Sequence, residues 1–228
     1  MNIAKNWVYS LADYRKIFAL TEQDLQKEIL DYPGGISSVN AELYALGQVI
    51  ISADPAYQLS AKEMQDYAGQ TLESAINYLR QHPQLLSAGN EAAMSTIIEG
   101  WRRSTEQFLA DYEMGKKQGR YRALELPPQS GINETFELLL CTDFLFNPQL
   151  NSLYSAQELM SDLCQFAEEI RIFPLPEQKT AVNSELGPLM LAFQQRNYGV
   201  EVRALTDSPR RDANAILRVW AKECEVSK

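Results

Sequence analysis

The segment Phe136-Glu137-Leu138-Leu139-Leu140-Cys141 constrains the fold more than any other. Apart from Glu137 it is continuously apolar. A strand apolar on both sides has to be covered on both faces, which is the situation of a central strand with helices packed above and below the sheet. The remaining chain must then supply parallel neighbours, crossover helices and turns.

The first neighbour is close to the N-terminus. Ile29-Leu30-Asp31 reads as a short strand, followed by the turn Tyr32-Pro33-Gly34-Gly35-Ile36-Ser37-Ser38. A helix then runs through Val39, Leu43 and Leu46 to Gly47, a residue suited to the left-handed position after a helix. Val49 to Ala53 is a second strand, stopped by Asp54-Pro55. Strand, turn, helix and strand make a βαβ unit, which implies parallel pairing and a right-handed crossover. Ahead of it, Ser10 caps a short helix bearing Leu11, Tyr14, Ile17 and Phe18, and Thr21 with Asp24 marks another helix start.

Residues 60–118 interrupt the alternation. Ser60-Ala61-Lys62-Glu63 is a capping box. Apolar and small residues recur at helical spacing from Met64 to Leu79, up to His82-Pro83. A second stripe, capped at Asn90, runs from Met94 through Trp101 and Phe108 to Tyr112 and closes at Gly115 or Gly119. Two helices inserted after the second strand, packed on each other and on the sheet edge, are expected. Strands follow at Tyr121–Leu126, Phe136–Cys141 and Ile170–Phe173. The capping box at Ser155 and the segment Leu186–Asn197 supply helices. Val200–Leu205 and Ala215–Trp220 are joined by only about nine residues. No crossover helix fits there, so these two strands pair antiparallel or sit apart.

Composition removes several functions. Lys and Arg number 21 against 30 Asp and Glu, a net charge of −9, which disfavours a phosphate backbone as general partner. Cys141, Cys164 and Cys224 are far apart, and with a lone histidine, His82, they form no zinc set. Sparse thiols fit a reducing cytoplasm. No apolar run has the length of a membrane helix, and residues 1–16 have no signal-peptide core. At about 150 residues per domain, the 228 residues read as one domain with an insertion. The basic residues Arg102, Arg103, Lys116, Lys117, Arg120 and Arg122 read as a solvated helix face, with an acidic-substrate site as the alternative.

Chemistry concentrates at the first turn. A glycine turn between strand and helix presents backbone N–H groups to a ligand. Asp54 ends the next strand, 23 residues after Asp31, where an acid hydrogen-bonds a ribose diol in doubly wound sheets. A structural βαβ turn with an exposed Asp is the alternative. Asp31 at the end of the first strand would repel a pyrophosphate and attract a sulfonium, which favours S-adenosylmethionine over a nicotinamide cofactor.

The segments ILDYPGGISSVNAEL, VIISADPAY, FELLLCTDFLF and EIRIFPL resemble a bacterial group of class I S-adenosylmethionine-dependent methyltransferase-like proteins, over about residues 10–220. The resemblance implies an α/β Rossmann-like methyltransferase fold: a seven-stranded, mostly parallel sheet with an antiparallel last strand and helices on both faces; with the length and periodicity above, one domain over 1–228 with a helical insertion at 60–118 is expected. It places Asp31, Gly34 and Gly35 near the methionine moiety, Asp54 on the ribose, Glu125 and Leu126 near adenine, and Cys141, Thr142 and Asp143 beside the transferred methyl. Asp143 is the candidate base or substrate orienter, or else a turn cap. The turn has fewer glycines than is usual in the group, with Ile36 and Ser37 where small residues are expected. The implied activity is methyl transfer to a small molecule or a protein, with nucleic acid disfavoured, no metal and no membrane. The alternatives are an inactive methyltransferase-fold protein that binds a ligand or partner, and a nucleotide- or nicotinamide-dependent enzyme.

Overall fold

The computed structural model describes residues 7–86, 91–125, 134–146, 155–175, 183–208, 210–211 and 213–221. Seven strands form one sheet: β1 (Ile29–Tyr32), β2 (Ile51–Ala53), β3 (Tyr121–Arg122), β4 (Phe136–Thr142), β5 (Ala167–Phe173), β6 (Tyr198–Ala204) and β7 (Ala215–Ala221). Their order is β3-β2-β1-β4-β5-β7-β6. The first five are mutually parallel, and β7 runs antiparallel to both β5 and β6. This is the expected Rossmann-like methyltransferase sheet, and the short link before β7 accounts for its reversal.

The helices are α1 (Leu11–Ile17), α2 (Val39–Ala45), α3 (Ala61–Gln81), α4 (Glu91–Lys117), α5 (Ala156–Leu163) and α6 (Asn183–Gln195). β4 shows why the sheet needs both layers. Phe136, Leu139 and Cys141 pack into one core with Leu159, Met160 and Leu163 of α5 and Leu189 and Phe193 of α6. Leu138 and Leu140 point the other way, into a core with Tyr14 and Ile17 of α1 and Val39 and Leu43 of α2. Glu137 alone on this strand is exposed, at its start.

α3 and α4 lie between β2 and β3 in the chain. Met64, Ala68, Ile76 and Leu79 of α3 meet Ile98, Trp101, Phe108 and Tyr112 of α4, and this cluster continues into Ile36, Tyr57 and Tyr121. The pair therefore packs on the glycine turn and the β2–β3 edge. The capping boxes at Ser10, Ser60 and Ser155 all form. Among the described residues no helix is long and apolar enough to cross a membrane.

Three local expectations change. Thr21 and Asp24 do bond reciprocally, but the helix they start is a single 3₁₀ turn at Asp24–Gln26. Asp24 is drawn into an ion pair with Arg171 of β5 at 2.8 Å, so the local cap serves a tertiary contact. β3 spans only Tyr121–Arg122, paired with Ser52 and Ala53. Arg120, read as part of a solvated basic face, has only 2% of its side chain exposed. It forks onto both oxygens of Asp111 at 2.7 Å and also donates to the Asn40 side chain. The proposed helix cap Asn90 lies outside the described residues.

A buried guanidinium stripped of its carboxylate is costly, whereas replacing the whole pair by apolar groups is not. Asp111→Ala is expected to lower stability in urea unfolding by about 3 kcal/mol. Asp111→Ala combined with Arg120→Met should recover more than half of that loss.

Candidate functional site

The sheet order reverses beside β1: the chain passes from β1 to β2 on one side, and β4 lies on the other. Ligands of open α/β sheets occupy the crevice outside the strand ends at such a point. Most of the residues singled out in the sequence converge there. Tyr32 pairs with Cys141 in the β1–β4 register, which brings Thr142 to the turn, and its hydroxyl donates to the Pro33 carbonyl at 3.3 Å.

The turn is built around its two glycines. Gly34 donates to the Ala53 carbonyl at 2.9 Å, and a Cβ there would lie 2.5 Å from the Tyr57 hydroxyl and 2.9 Å from Ser52 Cβ. No other residue fits. Gly35 has φ +57°, a left-handed conformation, and nothing lies within 4 Å of where its Cβ would be. Its N–H donates to Asp54 Oδ2 at 3.0 Å, and its carbonyl accepts from the Tyr57 hydroxyl at 2.8 Å.

Asp54 is thus held from two sides. Its Oδ1 accepts the Ala56 N–H at 2.8 Å, capping the 3₁₀ turn Pro55–Gln58. Each oxygen spends one lone pair on backbone and keeps another. Burial pushes its pKa up, and the two N–H bonds oppose that. The result is a fixed pair of acceptors next to the open space over Gly35.

Asp31 has a different role. It is 1% exposed. Oδ1 accepts from the Tyr14 hydroxyl at 2.8 Å and Oδ2 from the Ser52 hydroxyl at 3.0 Å. Burial raises its pKa to about 6, and the Asp54 charge adds to the rise. Both oxygens work inside the protein, joining α1, β1 and β2.

Asp143 follows β4 with φ +48°, a left-handed position that Asp tolerates better than most residues. Oδ1 accepts from Arg210 at 2.7 Å and Oδ2 from the Tyr9 hydroxyl at 3.1 Å. Arg210 comes from the β6–β7 connection and lies over the rings of Trp7 and Phe173. A carboxylate clamped by a guanidinium and a phenol orients its surroundings; it is not a free base. The phenols of Tyr9, Tyr14 and Tyr57 have pKa values pushed far up, first by burial and then by neighbouring acids. They remain protonated donors.

The other assignments separate. Cys141 is fully buried, and burial pushes its thiol up to about 12; it is not a nucleophile. Glu125 is exposed three residues beyond β3, and Leu126 lies outside the described residues. His82 closes α3 and stacks on Tyr78 at 4.2 Å. Sequence reasoning missed Arg210 and the hydroxyl roles of Tyr9, Tyr14 and Tyr57. Tyr14 was visible only as part of an apolar stripe, and nothing in sequence spacing ties Arg210 to a residue 67 positions earlier.

Comparison with known proteins gives a sequence relative. The uncharacterized protein MJ0045 of Methanocaldococcus jannaschii is 30% identical over 169 residues, covering 72% of this chain and 74% of its own. It is archaeal, whereas the resemblance above pointed to a bacterial group. No family model matches. Among solved structures, magnesium protoporphyrin IX methyltransferase from Synechocystis PCC 6803, with bound SAM, superposes with a TM-score of 0.43 at 13% identity. That alignment covers 86% of this chain and 70% of that one. The 16S rRNA methylase RmtB superposes with a TM-score of 0.41 at 12% identity, covering 92% and 60%.

The raised pKa of Asp31 has a definite pH signature. With a folded value of about 6 against an ordinary 3.8, the folded state holds the extra proton between these limits. This group's contribution to stability therefore falls as pH rises from about 4 to 6 and is constant above. In Asp31→Asn that fall is absent. The stability of the variant minus that of the natural chain should rise by about 2–3 kcal/mol between pH 4 and 7, as measured by urea unfolding across that range.

Proposed function

We propose that this chain, which belongs to the family of the Methanocaldococcus jannaschii protein MJ0045, is an S-adenosylmethionine-dependent methyltransferase acting on a small molecule or a protein. The observation that carries this reading is Asp54: a carboxylate fixed at the end of β2 by the Gly35 and Ala56 N–H groups, with an acceptor lone pair left on each oxygen. It stands beside open space at the reversal point of a methyltransferase-type sheet. A vicinal diol needs two adjacent acceptors, and these oxygens supply them. The residues present therefore fit the nucleoside part of the cofactor.

In this reading Asp54 holds the ribose and the Gly34–Gly35 turn lets the cofactor approach the backbone. Thr142 and Asp143 line the end of β4 where the acceptor meets the donor. Glu125 flanks the adenine. Bound there, S-adenosylmethionine supplies a methyl group on a sulfonium, open to in-line displacement. Orientation contributes most of the rate in such a displacement, up to about 7–11 kcal/mol. The protein's part is then to hold the acceptor in line and exclude water. Asp143, fixed by Arg210 and Tyr9, serves as an orienter. The net charge of −9 favours acceptors other than nucleic acid. We further propose one domain over 1–228, cytoplasmic, in which 60–118 covers the strand ends.

A second reading is a methyltransferase-fold protein that binds a ligand or partner without catalysis. The Asp143–Arg210 ion pair favours it, because it commits the one carboxylate at the end of β4 to an internal partner. Calorimetric titration separates the two: the enzyme reading expects S-adenosylmethionine and S-adenosylhomocysteine both to bind, and both to raise the melting temperature by mass action. No heat and no shift at millimolar ligand would leave the binding-protein reading.

Asp54→Ala should weaken S-adenosylhomocysteine binding about 10–100-fold, equivalent to about 1–3 kcal/mol. Circular dichroism should show the fold retained. Unchanged affinity would remove Asp54 from the site.

A further inference from the structure

A cavity of about 360 Å³ lies outside the site just described, between the N-terminal segment, α2 and α4. Its size is that of a small-molecule pocket. Trp7 and Trp101 line it, meeting edge to face with ring centroids 5.3 Å apart. Asp13, Glu42, Arg103 and Ser104 supply its polar groups.

The two carboxylates are each half used. Asp13 accepts through Oδ2 from the Ser10 N–H at 2.9 Å and the Ser10 hydroxyl at 2.6 Å. Glu42 accepts through Oε1 from the Leu11 N–H at 2.9 Å and from the Ser38 hydroxyl. The second oxygen of each bonds nothing among the described residues. Ser104 adds an independent observation: the residue is 3% exposed, and its hydroxyl opens into the cavity without a protein hydrogen-bond partner among the described residues. Arg103 is exposed on α4, so two acids face one base and the wall is net negative.

We propose that this cavity binds a small organic cation: an ammonium group against the free oxygens of Asp13 and Glu42, with an apolar or aromatic body against Trp101 and Ile97. Indole edges and faces receive the body, and carboxylates in a partly dry pocket favour the charged head. The Ser104 hydroxyl supplies a neutral hydrogen bond. An anionic ligand would meet two like charges. The site stands apart from methyl transfer and does not depend on that reading. Its ligand shares one wall with the strand ends, because Tyr9 both lines the cavity and donates to Asp143.

The test is titration of the full chain, followed by tryptophan fluorescence, with three probes of one shape: 2-phenylethylammonium, 2-phenylethanol and phenylacetate. Saturable binding of the ammonium is expected, about tenfold or more tighter than the alcohol, since a charge-assisted bond is worth about 1.5–3 kcal/mol. Phenylacetate should not bind. Glu42→Gln, which keeps an acceptor for Leu11 and Ser38, should reduce ammonium affinity about tenfold and leave the alcohol unchanged. Ser104→Leu, which fills the cavity without touching either acid, should abolish binding of both in a protein of unchanged far-ultraviolet circular dichroism. Failure of the ammonium to saturate by about 10 mM (the far side of the millimolar range of weak ligands) would overturn the proposal. So would equal binding of all three probes, or ammonium binding indifferent to Glu42→Gln. S-adenosylhomocysteine affinity, measured in the same variants, stays unchanged if the two sites are separate.

Discussion

One chain of buried hydrogen bonds runs through the functional half of the molecule. The Tyr14 hydroxyl donates to Asp31, Ser52 donates to the other oxygen of Asp31, and Asn40 donates to Ser52. Asn40 also accepts from Arg120, whose guanidinium forks onto Asp111, and Asp111 accepts from the Tyr121 hydroxyl. Residues from α1, β1, β2, α2, α4 and β3 are joined without a break. Each member is buried or half-buried, so leaving any of them unpartnered is costly, and the arrangement is accepted as a whole or not at all. The glycine turn sits on this chain, because Gly34 has room only between Tyr57, Ser52 and Asp31.

The acids at the strand ends divide the work by environment. Asp31 is buried, with each oxygen held by an internal hydroxyl and its pKa lifted to about 6, and it organises the interior. Asp54 is pinned by two backbone N–H groups and keeps acceptor capacity toward the crevice. Asp143 is neutralised by Arg210 and held by Tyr9. The same side-chain chemistry thus yields an internal link, a carboxylate fixed by backbone at the crevice and a largely buried ion pair. The difference lies in which partners the fold brings to each.

The α/β plan was legible because period and punctuation are local. The apolar run at Phe136–Cys141 required two covered faces, and residues on alternate sides do enter two different cores. The short connection before β7 left antiparallel pairing or separation, and the two strands pair antiparallel. The glycine turn and Asp54 were legible as a pair because a βαβ unit brings the ends of adjacent parallel strands together. The helix expected after Thr21 was misread for a physical reason: its cap residues form, but Arg171, almost 150 residues later, claims Asp24. Arg120 was misread in the same way, since a run of basic residues carries no sign of the Asp111 and Asn40 pocket that buries one of them.

The sequence by itself determined the alternation of strands and helices, the absence of a crossover before the last strand, the two-helix insertion and the location of the glycine turn. All of these follow from periodicity, capping residues and loop length, which act over a few residues. Only the tertiary structure decided which acids are shut inside the protein and which reach the crevice. It also decided that Arg210 closes on Asp143 and that Trp7 and Trp101 share a cavity with Asp13 and Glu42. Burial and hydrogen-bond partnership arise between residues remote in sequence, and they set the charge state and availability of a side chain more strongly than its identity does.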